Sequence, residues 1–381
     1  MMNNARLIWA GSENCADLLY MTGFLAEDPF LYLATEEMAF VIVSSMEVER
    51  ARQQAHKSVQ VLSYDEAAGL WHSKGKHPTS TASLVSAFTR KFGVKHWEVP
   101  FDFPLGMHDI LTSRLGTRAD ILRSKGAFCP QRDVKSSDEV EKVRDAQRLA
   151  ETGLARALAI LEAASVGKDG ILLWQRKPLT AEILKAEINI AIARQGGLAK
   201  GTIAAPGTQA ACPHNTGTGP IYANVPIVFD IFPRCEATGY FGDLTRTVVK
   251  GKVTREVKRA FQTVWDAQRK VLDSLRPGVT GAAIQKMVEE FFEKRGYKTD
   301  LTADVPFGFI HSVGHGVGLE IHESPTISRR GLMPLMAGNV VTDEPGLYYP
   351  AWGGVRIEDT VAITNDGCDN LSSVSVQLEI P

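Results

Sequence analysis

The first third of the chain alternates short apolar runs with segments whose apolar residues recur at helical spacing. "FLYLAT" and "MAFVIVSS" read as buried strands separated by a polar turn. "SMEVERARQQAHK" reads as a helix, and "TASLVSAFTRKFG" as another that ends at a capping glycine, Gly93. Strands alternating with helices predict an α/β domain. The pattern breaks around "RSKGAFCPQRDVKSSDE", where Pro130 and a polar run precede Ser136. Ser136 with Glu139 three residues later is a capping-box signature. Val140, Val143, Ala146, Ala150 and Leu154 then recur at helical spacing. This places a domain boundary near residue 134, with domains 1–134 and 135–381.

The remainder hints at an internal duplication. The helical pair "SSDEVEKVRDAQRLAETGLARALAIL" and "TAEILKAEINIAIARQGG" is followed later by "TREVKRAFQTVWDAQRKVLDSL" and "AAIQKMVEEFFEKRG". Each pair leads into strand-like sequence rich in carboxylates and glycine. Two copies of a helix–helix–sheet unit predict a pseudo-symmetric α+β domain with a site between its halves.

Composition narrows the function classes. A chain of 381 residues exceeds one ordinary core, in line with two domains. A formal charge of −2 argues against nucleic-acid or membrane-surface partners, which usually leave a basic excess. The five cysteines (Cys15, Cys129, Cys212, Cys235, Cys368) are scattered without a CxxC pair. That fits neither a disulfide framework nor a thiolate zinc site and suits a reducing compartment. "MMNNARLIWAGSENC" has no apolar stretch behind a basic start, so no signal peptide is expected. No run approaches the roughly 18–20 apolar residues that a membrane span needs. The cell interior is the expected location.

The chemistry lies in two carboxylate pairs. In "PIVFDIFPRCEATGYFGDLTRTVV", Asp230 ends an apolar run and Asp243 opens the strand "DLTRTVV". In "NVVTDEPGLYYPAWGGVRIEDTVAIT", Glu344 ends an apolar run and Glu358 sits within an expected strand, "GVRIEDTVAI". Each half thus offers one carboxylate per strand of a hairpin. One acid in a strand ordinarily points to water, but this set fits that reading poorly. Asp and Glu are disfavoured in strands, and Asp230 and Glu344 follow stretches that should be buried. Buried carboxylates need a cation or hydrogen-bond partners. Four acids converging from two hairpins make an oxygen-rich site for divalent metal, and one added imidazole favours Mn, Co, Fe or Zn over Ca.

"HSVGHGVGLEIHESP" carries His311, His315 and His322. Gly314, Gly316 and Gly318 make a helix unfavourable here, so His311 and His315 do not share a helix face. In an extended strand their separation is about 13 Å, which leaves at most one histidine of this stretch per ion. The glycines read as positions where the backbone lies close to metal and substrate.

Together, "FDIFPRCEATGYFGDLTRT", "HSVGHGVGLEIHESP", "TDEPGLYYPAWGGVRIEDT" and the upstream "ACPHNTG" resemble the prolidase and aminopeptidase P branch of the pita-bread metallopeptidases. "DLLYMTGF", followed by "VIVSSMEVERARQ", resembles the smaller N-terminal domain of that branch. The resemblance spans nearly the whole chain. It implies an α+β fold, a C-terminal pseudo-symmetric pita-bread catalytic domain preceded by a smaller α/β creatinase-type domain. It also implies that Asp230, Asp243, His315, Glu344 and Glu358 hold two divalent ions per subunit, manganese first, with cobalt, zinc or iron as alternatives. Asp243 and Glu358 would bridge both ions, with Asp230 on one and His315 and Glu344 on the other. A bridging water, acidified by both, is the implied nucleophile, and Glu344 its general base. His322, His311 and His214 resemble the family's outer histidines, which position substrate, stabilise the tetrahedral intermediate and move protons. Arg356 would steady Glu358 or its neighbours.

The implied activity is removal of an N-terminal residue preceding proline, from Xaa-Pro dipeptides or longer peptides, by a cytoplasmic homodimer. No nucleic-acid or membrane partner is implied. A creatinase-like amidinohydrolase, which works without metal, and an inactive peptide-binding protein share the fold. Neither would need all five ligand-type residues. Two departures stand out. Asp243 lies 13 residues after Asp230, longer than the family's usual spacing, which predicts a longer hairpin tip at "FPRCEAT" over an intact site. "GKDGILLWQRKPLT", with Trp174 and Arg176, also exceeds a plain connection and reads as a surface insertion.

Overall fold

The computed structural model describes residues 4–71 and 80–381. The chain divides into two units, Met1–Pro130 and Gln131–Pro381. In the first, the apolar runs 30–34 and 40–43 are buried throughout, so the middle of the sheet has two buried faces. The strands are β1 (Asn4–Ala10), β2 (Phe30–Ala34), β3 (Ala39–Val43), β4 (Val59–Ser63), β5 (His96–Val99) and β6 (Asp120–Arg123), in the spatial order β4-β3-β2-β1-β5-β6. β1, β5 and β6 run parallel, whereas β2 is antiparallel to both β1 and β3. Leu7, Leu33, Phe40 and Trp97 pack one face against α3 (Tyr64–Trp71), α4 (Thr81–Phe92) and α5 (Leu105–Leu115). Ile8, Tyr32 and Val41 pack the other against α1 (Ala16–Thr22) and α2 (Val48–Gln54). Gly93 ends α4 in the left-handed conformation, with φ of 67°, and its N–H closes onto the Thr89 carbonyl.

The second unit opens with α6 (Ser137–Ala163), whose Ser136 and Glu139 form the full capping box. With α7 (Ala181–Ala193) it covers a four-stranded sheet of β11 (Ile203–Pro206), β12 (Pro226–Ile231), β14 (Leu244–Lys250) and β22 (Glu379–Ile380). Between the two helices lies a small meander of β7 (Ser165–Val166), β8 (Leu172–Trp174) and β9 (Lys177–Pro178). Its turn places Gln175 and Arg176 at positive φ, and Trp174 packs under the Arg156 guanidinium, 5.6 Å from the ring centre. The long Asp230–Asp243 connection is not a bare loop. Its β13 (Arg234–Cys235) pairs with β10 (Gly197–Leu198).

The second helix pair, α8 (Arg255–Ser274) and α9 (Gly281–Lys294), repeats the arrangement. It covers a sheet of β15 (Gly314–Gly316), β16 (Glu323–Ile327), β17 (Val340–Asp343), β20 (Asp359–Ile363) and β21 (Cys368–Asn370). β18 (Gly346–Tyr349) and β19 (Gly353–Arg356) form a separate hairpin.

One expectation is corrected here. The apolar run "GVRIEDTVAI" is not one strand, because it breaks at Glu358 into β19 and β20, which belong to different sheets. The Glu358 N–H bonds the Thr245 carbonyl of β14 instead, forming a bridge between the two halves of the unit. The two halves therefore present their acids differently. Asp230 and Asp243 lie along the β12–β14 hairpin, while Glu344 and Glu358 sit where the β17–β20 ladder gives way to the β18–β19 hairpin.

Candidate metal centre

Five side chains from both halves converge. Asp230 comes from β12, and Asp243 stands just before β14. His315 is the middle residue of β15, Glu344 follows β17, and Glu358 joins β19 to β20. Single donor atoms of Asp243, His315 and Glu358 all lie within 4.8 Å of one another. His315 Nε2 is 3.6 Å from Asp243 and 3.5 Å from Glu344. Its Nδ1 lies 3.1 Å from the Gly316 carbonyl, to which it donates, so the Nε2 lone pair faces the carboxylates.

Electrostatics explains why these acids cannot sit together uncompensated. Burial, followed by neighbouring carboxylates, raises the carboxyls of Asp243 and Glu344 well above their usual range. Burial and Asp230 push Glu358 up to about 8. Among the described residues the guanidinium that reaches the cluster is Arg356, which is 3% exposed and bonds Asp230 at 2.5 Å. Four carboxylates facing one guanidinium leave a charge deficit that divalent cations would neutralise. The donor set, carboxylate oxygens with one imidazole nitrogen, suits such ions.

The other expected residues take distinct places. Arg356 does not bond Glu358 directly. Its three nitrogens reach Asp230, the Thr245 hydroxyl at 3.1 Å and the Tyr348 hydroxyl at 2.8 Å. Thr245 in turn donates to Glu358 at 2.5 Å. His311 has both ring nitrogens engaged. Nδ1 donates to the Ser312 carbonyl at 2.6 Å, and Nε2 accepts from the Tyr348 hydroxyl at 2.8 Å. Burial pushes its imidazole down to about 3, so it is neutral near pH 7. His322 is exposed and meets the His315 ring edge-to-face, with centres 4.3 Å apart. His214 is exposed, on the loop after the 3-10 turn Gly207–Ala211.

Sequence reasoning missed three supporting groups. Tyr348 is wholly buried and joins His311 to Arg356. A Cβ on Gly346 would lie 2.5 Å from the Tyr348 hydroxyl, so that glycine makes room for it. Thr245 carries the bond to Glu358. Gln147 of α6 clasps the Asp243 backbone, accepting from its N–H and donating to its carbonyl, both at 2.8 Å. Only Tyr348 carried a local signal, four residues beyond Glu344 in "EPGLYY". On the back of the sheet, Asp343 faces Asp359 in register. Asp359 is held by Arg246, Gln268 and Asn370, whereas Asp343 finds no hydrogen-bond partner among the described residues. Burial, with Asp359 beside it, raises the Asp343 carboxyl well above its usual range.

The glycines between the histidines also differ from expectation. They are places of close approach, but to protein. A Cβ on Gly314 would lie 2.1 Å from the Thr342 carbonyl oxygen, and one on Gly316 2.4 Å from that of Ser324. One on Gly318 would lie 2.3 Å from the Glu323 carboxylate.

Comparisons with known proteins bear on the family and the fold. The sequence model of Metallopeptidase family M24 matches residues 141–365, and that of the Creatinase/Prolidase N-terminal domain matches residues 2–120. An uncharacterized peptidase of Bacillus subtilis is 28% identical over 352 residues, which cover 91% of this chain and 88% of that protein. An Xaa-Pro dipeptidase of Pyrococcus furiosus is 33% identical over 248 residues, 65% of each chain. The crystal structure of an X-Pro aminopeptidase from Thermotoga maritima superposes with a TM-score of 0.82 at 25% identity, covering 99% of this chain and 97% of that one.

Proposed function

The chain belongs to metallopeptidase family M24, and from that premise we propose that it is a dinuclear exopeptidase cleaving the bond between an N-terminal residue and a following proline. The observation that carries this reading is the largely buried convergence of Asp230, Asp243, His315, Glu344 and Glu358 around the Arg356 guanidinium. Asp243 and Glu358 would be shared by two ions, with Asp230 serving one and His315 and Glu344 the other. Manganese is the first choice, with cobalt, zinc or iron next. When bound, the ions supply a water that ionises near neutral pH and positive charge for the developing oxyanion.

The chain's own residues do the rest. Glu344 takes the proton of the attacking water as general base. Arg356 holds Asp230 in place and, through Thr245, orders Glu358. His322 and His214, both exposed, would contact substrate and move protons to the leaving group. The engaged nitrogens of His311 favour a fixed anchor over a proton carrier. An Xaa-Pro bond has no N–H, so a site that attacks without gripping that group can accept it. The names of the dipeptidase and aminopeptidase relatives support the same substrate class. The cytoplasm and a homodimer complete the proposal.

The test compares hydrolysis of Xaa-Pro dipeptides, Xaa-Pro tripeptides and longer peptides by metal-stripped protein before and after adding manganese. Cleavage restored by the ion and confined to bonds preceding proline is expected. A protein that retains no divalent ion and stays inert after manganese or cobalt would sink the reading. Cleavage of other dipeptides alone would overturn the proline specificity.

A further inference from the structure

The loop that carries His322 is tied down by a buried charge network apart from the five converging residues. Glu323 follows His322, and its side chain is only 7% exposed. One carboxylate oxygen receives Lys135 Nζ at 2.5 Å, and the other receives Arg132 at 2.6 Å and the Glu320 N–H at 3.3 Å. The Lys135 side chain is 2% exposed. Arg132 also bonds Glu320, at 2.6 Å. The cations are themselves anchored. The Lys135 N–H donates to the Gly338 carbonyl at 2.7 Å, and the Asn339 side chain donates to the Asp133 carbonyl at 2.8 Å. Residues 338 and 339 lead directly into β17, which precedes Glu344. Gly318 leaves the space in which the carboxylate lies.

The network sits at the end of the β15–β16 ladder. β15 and β16 pair Gly314 with Ile327 and Gly316 with Glu323, with the register slipping between those pairs, so the ladder ends at Glu323 and His322 lies just beyond it. An exposed histidine on such a segment has no ladder of its own to fix it. Buried ion pairs contribute little net stability because desolvation offsets the attraction. A triad of this kind therefore calls for a reason beyond stability. We propose that Glu323 is a positioning residue: clamped by Lys135 and Arg132, it sets the backbone of His322 so that the imidazole stands over the site. This deepens the proposed peptidase reading and rests on it for the role of His322.

The test uses the manganese-loaded full chain carrying Glu323→Gln, Lys135→Met, both together, or Lys135→Arg. Each charge-removing single variant should lower kcat about 10–100-fold with KM changed far less and bound metal unchanged. The double variant should be no slower than Glu323→Gln alone, because both changes break one link. Lys135→Arg should recover most of kcat. The His322 imidazole resonances of the metal-free protein should move in Glu323→Gln and in Lys135→Met and stay near wild type in Lys135→Arg. If Glu323→Gln does not fold, Arg132→Gln removes one cation from a less buried position and is read in the same way. Variants that only melt earlier, with kcat and the His322 resonances unchanged, would overturn the proposal. A wild-type protein that cuts no peptide defeats the peptidase reading, and the resonances still decide whether Glu323 places His322.

Discussion

Replacing Tyr348 with Phe removes one oxygen, yet it strips a buried Arg356 N–H and His311 Nε2 of their shared partner. A buried group left without its hydrogen bond costs about 1–3 kcal/mol. Tyr348→Phe should therefore lower the melting temperature and, by loosening Arg356 on Asp230, weaken divalent-ion binding, both measurable by calorimetry. The acids predict a pH effect as well. In metal-free protein the folded state holds protons on Glu358 up to about pH 8, whereas the unfolded chain has lost them by about pH 5. The unfolded state thus binds fewer protons, and stability falls as pH rises through this range. His311 and His315, pushed down to about 3 and about 4, act the other way, but only below the ordinary imidazole value near 6.5. Between about pH 6.5 and 8 the carboxyls act unopposed, so melts of chelator-treated protein should show declining stability there. Saturating manganese should flatten the decline, and binding should release protons. The five converging residues were legible because acids and a histidine in apolar, glycine-rich strands have few other uses. Thr245 and Gln147 were not, since they act on partners 113 and 96 residues away and local patterning is blind to that.

At the scale of elements, helix ends were the most legible feature, because a cap is written in adjacent residues. Ser136 with Glu139 and Gly93 each do what their neighbours imply. The break at Glu358 was hidden. Residues 353–363 are buried throughout, and an uninterrupted apolar run reads as one strand. At the break the Glu358 N–H goes to the Thr245 carbonyl and its own carbonyl accepts from Arg246, bonds made only once the two halves meet. The glycines of β15 give a sharper prediction. In Gly314→Ala the new methyl would meet the Thr342 carbonyl, which is backbone and cannot swing away. β15 would be pried from β17, at about 1–3 kcal/mol for overpacking. His315 would move with it, so ion affinity should fall about tenfold or more. Metal titration and thermal melts of the variant check both parts.

At the scale of the molecule, the repeated order of helix pair and sheet was readable from periodicity alone, and it organises the second unit. The added strands β7–β9 and β13 were visible only as extra length, since two or three residues carry no periodic signal. Arg356 and the Thr245–Glu358 bridge have a consequence for any attempt to divide the protein. Asp230 and Asp243 belong to one half, while His315, Glu344, Glu358 and the guanidinium belong to the other. Neither half owns the full set of donors. Cutting the chain between Gly251 and Lys252, both exposed, should yield two polypeptides that each bind manganese feebly and regain the intact affinity when mixed. The metal would then report complementation, as an AND gate responds only when both inputs are present. A fragment that binds manganese alone with the affinity of the whole chain would show that the two halves are not needed together.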